Sequence, residues 1–355
     1  MDIITEKIKN IEEYTPNTDK YRIRLDANES PFLPSEGILS AFKDAIGKID
    51  FNRYPDPYAT ELISAYAKVY NLNPENIIAG NGSDELISLI CSGFTDPGNT
   101  VTVAMPDFSM YEFYSSLSGT KVEVYKKSED LRINYETLLE LTKQNRSKIV
   151  IFSNPCNPTG QLGTRAEIEN LVKKSDALII VDEAYMEFAP ENESLLDAVE
   201  KYDNLIVLKT LSKAFGSAAL RLGFAVSNRE IIKAIRKIKS PYNVNSVSQT
   251  FGKIVLENYD EIKKNTEKIK ENTQYLYEKL SHYENNSIIQ VYKPCANFVY
   301  IKLSSAEKAI GITEYLKKCG IAVRCMASAG CIRITAGTRE EIDEFLLKFE
   351  EAILC

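Results

Sequence analysis

The chain contains no tryptophan and a single histidine, His282, among its 355 residues. One imidazole, in a polar stretch predicted to end a helix, excludes a histidine-triad mechanism and any multi-histidine metal site, so no metal is expected. No apolar run comes near the roughly 20 residues that a bilayer span requires. The first residues, Met1 to Glu6, lack the basic and apolar regions of a secretory signal, which points to the cytoplasm. Basic charge is short as well: 43 Lys and Arg against 50 Asp and Glu leave a net charge of −7, without the basic face that nucleic acid selects. The seven cysteines are odd in number and form no C-x-x-C pair, so reduced, structural thiols are expected. Internal repeats and low-complexity segments are absent too.

What is present is length and alternation. A chain of 355 residues, 44% of them hydrophobic, exceeds one small core and predicts a large domain plus a smaller one. Residues 1–27 read as an arm, with a short polar helix over 3–13, a turn at Tyr14 to Asn17 and a strand over 21–25. Two polar, proline-flanked loops follow, Asp26 to Phe32 and Asn52 to Pro57. From Thr60 onward helix and strand alternate. Seven strands are expected at 77–79, 100–104, 121–125, 148–152, 177–181, 205–208 and 222–226. Helices fall between them, one opened by a capping box at Thr164 and Glu167, another capped by Ser83 or Asp84. This is an α/β pattern: a mostly parallel sheet covered by helices on both faces, with ligands at the carboxyl ends of its strands. A single long charged helix over 246–283 leads into a smaller α+β region with strands at 288–291, 296–302, 322–324 and 331–334. A second capping box, Thr338 to Glu341, opens the last helix. The predicted division is an arm at 1–27, a large domain at 46–245, and a small domain made of 28–45 and 246–355.

The stretch Lys209 to Gly216 stands out, because lysine, threonine, serine and lysine follow an apolar run read as a buried strand. Ammonium groups are seldom buried without work to do, since desolvation lowers their pKa. A lysine made neutral in that way is a nucleophile that forms imines. On this segment alone, a surface lysine at a strand-to-helix turn remains the alternative.

Polar clusters occur in a fixed order: Leu25 to Pro31, Asn52 to Pro57, Gly80 to Glu85, Asn154 to Gly160, Asp182 to Tyr185, Ser212 with Lys213, Arg221, and Ile332 to Thr335. Together they resemble the pyridoxal-phosphate enzymes of the aspartate aminotransferase fold over nearly the whole chain. The first three resemble the histidinol-phosphate aminotransferase branch in particular. The resemblance implies pyridoxal phosphate bound as an imine to Lys213, whose freed amine then moves the proton at the substrate carbon. Asp182 pairs with the pyridine nitrogen, and a nearby carboxylate keeps that nitrogen protonated. Asn157 and Tyr185 hydrogen-bond the ring oxygen, while Phe108, or alternatively Tyr111, stacks on the ring. Ser83, Asp84, Thr210, Ser212 and Arg221 surround the phosphate, with the Asp84 backbone expected to matter more than its carboxylate. Tyr54 reaches the phosphate of the neighbouring subunit, so a homodimer is implied. Arg333, Arg324, Tyr21 and Asn28 fall at the substrate positions.

The chain departs from that pattern in four places. Residues 325–331 form a short link between the two arginines, and Cys325 replaces an acidic residue or proline. Asp107 stands where a threonine is usual, and Tyr14 to Asn17 replaces a Tyr-x-Pro-Gly motif. These leave the cofactor positions intact and bear on the substrate. The expected reaction is amino transfer between L-histidinol phosphate and 2-oxoglutarate, with small molecules as the only partners besides a second subunit. Threonine-phosphate decarboxylase and an aromatic or other amino-acid aminotransferase are the alternatives within the fold. An effector-sensing module of a transcription regulator would need a DNA-binding domain for which there is no room before Tyr21.

Overall fold

The computed structural model describes residues 3–9, 11, 13, 18–284 and 288–354. Of the predicted arm helix it shows one turn, Glu6–Lys9; the Tyr14 to Asn17 motif and Cys355 lie outside the described residues. Two sheets organise the rest. Strand β1 (Ile23–Leu25) belongs to the smaller sheet. Strands β2 (Ile77–Asn81), β3 (Thr100–Met105), β4 (Lys121–Lys126), β5 (Ile149–Ser153), β6 (Leu178–Asp182), β7 (Leu205–Thr210) and β8 (Leu222–Ser227) form a seven-stranded sheet. Its order is β2-β8-β7-β6-β5-β3-β4. All neighbours pair parallel except β8, which runs antiparallel to β2 and β7.

The apolar runs explain this sheet. Helices cover both faces, so successive residues of a strand enter opposite cores. On β7, Leu205 and Val207 join one core, and Ile206 and Leu208 the other. Each such side chain taken from water contributes about 1.5–3 kcal/mol.

The smaller sheet holds β1, β9 (Ile288–Tyr292), β10 (Phe298–Leu303), β11 (Ile321–Met326) and β12 (Cys331–Thr335), in the order β1-β11-β12-β10-β9. Only β1 and β11 pair parallel; the other neighbours are antiparallel. The short link after Arg324 makes sense here, because residues 327–330 close a hairpin that sets Arg324 directly opposite Arg333.

Both predicted capping boxes form. Thr164 N donates to Glu167 at 2.9 Å and Thr338 N to Glu341 at 2.8 Å, and in each the glutamate's N–H donates back to the threonine hydroxyl. Three readings need correction. The charged segment is two helices, Ser246–Glu257 and Tyr259–Ser281, broken at Asn258, whose φ and ψ of −106° and 34° leave the helical region. A helix at Glu36–Ile46, capped by Ser35, follows the proline-flanked loop and was not among the expected elements. Neither Ser83 nor Asp84 caps its helix: Gly82 is the N-cap residue and gives no side-chain bond. Instead the Glu85 carboxylate, one turn in, accepts the Asn81 N–H at 2.6 Å.

Helices Glu36–Ile46 and Ser246–Glu257 pack on each other through Phe42 and Phe251, whose ring centres are 4.6 Å apart. Ile38 and Val255 from these helices enter the core beside the larger sheet. Among the described residues no helix is long and apolar enough to cross a membrane.

Candidate active site

The parallel strands β2, β3, β5, β6 and β7 deliver their carboxyl ends to one edge of the sheet. Ser83, Phe108, Asn157, Asp182, Thr210, Ser212 and Lys213 all lie on or just beyond those ends. Arg221 arrives at the same edge from the opposite direction, because β8 is antiparallel and begins at Leu222.

Asp182 ends β6 and is only 4% exposed. Its carboxylate accepts the Tyr111 hydroxyl at 2.8 Å and the Ala184 N–H at 3.0 Å. Burial raises its pKa to about 6, against these two hydrogen bonds, which favour the charged form. No cation pairs with it among the described residues, so its charge can still take a protonated nitrogen as partner. Tyr111 is fully buried and spends its hydroxyl on Asp182, whereas Phe108 is half-buried and meets Tyr111 edge-on at 5.5 Å. Of the two aromatic candidates, only Phe108 keeps an open face.

Lys213 is half-buried, and its Nζ donates to the Ala27 carbonyl at 3.0 Å. The same Nζ lies 5.7 Å from the centre of the Tyr185 ring. Asn28 Nδ2 donates to the Tyr185 hydroxyl at 2.9 Å. A phenol that accepts one bond still has its proton to give, so Tyr185 is left as a donor. Arg333 Nη1 donates to Asn157 Oδ1, and its Nη2 to the Asp26 carbonyl at 2.7 Å. With its oxygen taken, Asn157 also offers its amide N–H groups. Two donors and no acceptor suit a phenolate oxygen.

The Asp26 to Asn28 segment thus ties the smaller sheet to the larger. Asn28 has a positive φ of 55°, a conformation asparagine tolerates, and is held there by Thr335 Oγ1 at 3.0 Å and by Asn297. Directly opposite residues of an antiparallel pair share a face. Arg324 therefore lies on the face from which Arg333 reaches the site, and two cations on one face favour an anion near them.

At the other end, the helix Ser83–Gly93 presents first-turn N–H groups that no helical carbonyl can satisfy. Arg221 Nη2 lies 3.3 Å from Asp84 Oδ2, so the Asp84 carboxylate steadies the guanidinium rather than facing an anion directly. The Thr210 hydroxyl is 3.0 Å from that of Ser212. A Cβ at Gly82 would stand 2.7 Å from Arg221 Nη2, and one at Gly223 only 2.3 Å from Ser83 N. Both positions must be glycine for backbone, helix start and guanidinium to form one concave donor set. Such a set suits a phosphate.

Two of the expected residues are not joined to this cluster. Tyr21 turns its hydroxyl to Asp19 at 3.1 Å rather than to either arginine. Tyr54 is 79% exposed and stacks on Tyr242 with ring centres 4.4 Å apart. The sequence reading in turn missed Tyr111 as the partner of Asp182, and Thr335 as the support of Asn28. It also left out the partners of the buried Lys209, whose Nζ lies 2.5 Å from Glu187 and 3.7 Å from Glu183. Alternation along β12 puts Thr335 on the face of Arg333 and was the one available signal; the other two join a helix and a turn to residues far off in sequence.

Fold and donor set define an enzyme that handles a phosphorylated, nitrogen-containing ring beside a lysine. The chain belongs to the aminotransferase class I and II family, whose model matches residues 21–349. It is 40% identical over 343 residues to a histidinol-phosphate aminotransferase of Clostridium novyi, covering 96% of this chain and 94% of that one. A histidinol-phosphate aminotransferase of Caldanaerobacter subterraneus is 36% identical, with 99% of each chain covered. The crystal structure of histidinol-phosphate aminotransferase from Sinorhizobium meliloti in complex with pyridoxal-5'-phosphate superposes with a TM-score of 0.91 at 25% identity, covering 100% of this chain and 98% of that one.

Proposed function

We propose that the chain is a pyridoxal-phosphate-dependent aminotransferase that exchanges an amino group between L-histidinol phosphate and 2-oxoglutarate, as a cytoplasmic step of histidine biosynthesis. What supports this reading is that Lys213 and Arg333 hold the adjacent carbonyls of Ala27 and Asp26, with Asp182 buried at the end of β6 and Arg324 opposite Arg333 on its sheet. When bound, the cofactor supplies an electron-withdrawing ring and a carbonyl carbon that can hold the amino group.

Asp182 holds the proton on the ring nitrogen, because an ion pair relieves the burial that raises its own pKa. Asn157 and Tyr185 donate to the ring oxygen, and Phe108 covers the ring face. The N–H groups of Ser83 and Asp84, with Thr210, Ser212 and Arg221, hold the phosphate. Lys213 Nζ would take the proton from the substrate Cα and return it to the cofactor carbon on the far side of the shared nitrogen, two bonds away. Arg324 and Arg333 bind the substrate's anionic end, carboxylate in one half-reaction and phosphate in the other, with Asn28 positioning Tyr185 and Tyr21 closing from the arm.

A homodimer completes the site in this reading, with Tyr54 reaching the neighbouring subunit's phosphate position. Support comes from an outward aromatic patch, with Phe51, Tyr54, Tyr58 and Tyr242 exposed by 70, 79, 60 and 45%. Residues 1–27 then form the arm, 46–245 the cofactor-binding part, and 28–45 with 246–355 the smaller part. The test is to titrate the cofactor-loaded chain with L-histidinol phosphate and follow its absorbance. Conversion to the aminated cofactor is expected. No conversion, with release of carbon dioxide from threonine phosphate or faster turnover of phenylalanine or tyrosine, would replace the substrate.

A further inference from the structure

Asp107 is fully enclosed, and the threonine usual at its position could not do what it does. Its Oδ1 accepts the Phe108 N–H at 2.8 Å and the Ser153 hydroxyl. Its Oδ2 accepts the Ser153 N–H at 3.2 Å and the Lys127 ammonium at 3.0 Å. The Ser153 oxygen in turn accepts the N–H of Asn157 at 3.0 Å. Lys127 uses its other protons on the Pro106 carbonyl at 2.8 Å and the Cys156 sulfur at 3.0 Å. Side-chain exposures of 1% for Lys127 and 0% for Asp107 make this a buried ion pair. Burial alone would lower the Lys127 pKa, but Asp107 and Cys156 overturn that and raise it, so the ammonium persists.

The pair joins the segments that follow β3, β4 and β5, and it carries a residue on each wall of the proposed ring site: Phe108 on one, Asn157 on the other. Apolar packing does not back this loop fully. A cavity of about 50 Å³, lined by Lys127, Ser153, Asn154 and Cys156 among others, lies against it. Polar ties set its position instead.

We propose that the buried Asp107–Lys127 pair is a positioning clamp that fixes Phe108 and Asn157 relative to each other, so that the cofactor ring is stacked and hydrogen-bonded in a single orientation. The inference rests on the cofactor reading given above. Asp107 and Lys127 do not touch the ring; they act through Phe108, Ser153 and Asn157. A threonine offers one side-chain oxygen where four donors converge, and no charge for the lysine.

The test compares the full chain with Asp107→Asn, Lys127→Met and the double substitution. Each is assayed for thermal midpoint without cofactor, pyridoxal phosphate affinity, visible circular dichroism of the bound cofactor, and kcat and KM for the amino donor. Each single substitution leaves a buried charge or dipole unmatched and should lower the midpoint; the double removes both charges and should regain much of it. In the double, affinity for pyridoxal phosphate is expected to stay about 10-fold weaker, as for other groups that orient a binding residue. The dichroism should weaken and kcat fall with little change in KM. Should that pair not fold, Asp107→Thr with Lys127→Leu asks the same question. A folded double variant with unaltered affinity and dichroism would overturn the clamp and leave a purely stabilising ion pair. An unaltered chain that takes up no pyridoxal phosphate would overturn the cofactor reading and the clamp with it.

Discussion

Lys209 and Lys213 stand four residues apart at the end of β7, and their surroundings are opposite. Lys209 is 2% exposed and lies against two carboxylates, Glu187 and Glu183. Burial alone would lower its pKa; Glu187 and Glu183 outweigh this and raise it. Its charge is fixed, and with it the turn from Asp182 to Phe188 on which both glutamates sit. Lys213 has a carbonyl oxygen as its hydrogen-bond partner and, among the described residues, no carboxylate at ion-pair distance. What separates the two lysines is the company of acids, along with the shallower burial of Lys213. The acids divide the same way: Glu183 has its cation, while its neighbour Asp182 is buried with a hydroxyl and an N–H and lacks one.

The largest effect should come from Lys213→Ala, which lowers amino transfer by about 10,000-fold while leaving the melting midpoint nearly unchanged. A folded Lys213→Ala chain with substantial turnover would erase the distinction between the two lysines. Lys209→Met should do the reverse. It leaves Glu183 and Glu187 buried without their cation and costs about 3–5 kcal/mol in a urea titration, and adding Glu187→Gln recovers part of the loss. Loss of turnover without loss of stability in Lys209→Met would instead make Lys209 part of the chemistry.

Asp182→Asn sharpens the comparison through pH. The folded pKa of Asp182 is about 6 against an ordinary 3.8, so ionising it inside the cofactor-free protein costs stability. That cost is absent below about pH 3.8, grows between the two values and is complete above about pH 6, where it reaches up to about 3 kcal/mol. Without cofactor, Asp182→Asn should therefore be more stable than the parent above pH 6, with the gain fading as pH falls toward 4. Its affinity for pyridoxal phosphate should be lower over the same upper range, because the ring nitrogen has lost its partner. A variant less stable than the parent at every pH would contradict the placement of a lone buried charge at Asp182.

The sequence made β7 and the other strands of the large sheet readable, because runs such as Leu205 to Leu208 are apolar on both faces and turn residues punctuate them; the order of the strands was not readable. The candidate residues of the proposed cofactor end stood out for a related reason. They sit immediately after strands, where parallel topology brings them together. Interactions that cross between elements were not readable. Nothing local in Tyr111 points to Asp182, and nothing in Lys127 points to Asp107, 20 residues away. The break at Asn258 was hidden because both halves of that segment are amphipathic and the residue joining them is neither glycine nor proline. The helix at Glu36–Ile46 was hard to read because it is short, follows Pro31 and Pro34, and carries Gly37 in its first turn.

The most direct test of the account is to locate the cofactor covalently. The pyridoxal-phosphate-loaded chain is reduced with borohydride and digested, and the peptides carrying the added mass are identified. The label is expected on Lys213 alone, with the peptide bond after Lys209 still open to trypsin and Lys209 unmodified. Label on Lys209, or spread over several lysines without preference for Lys213, would contradict it.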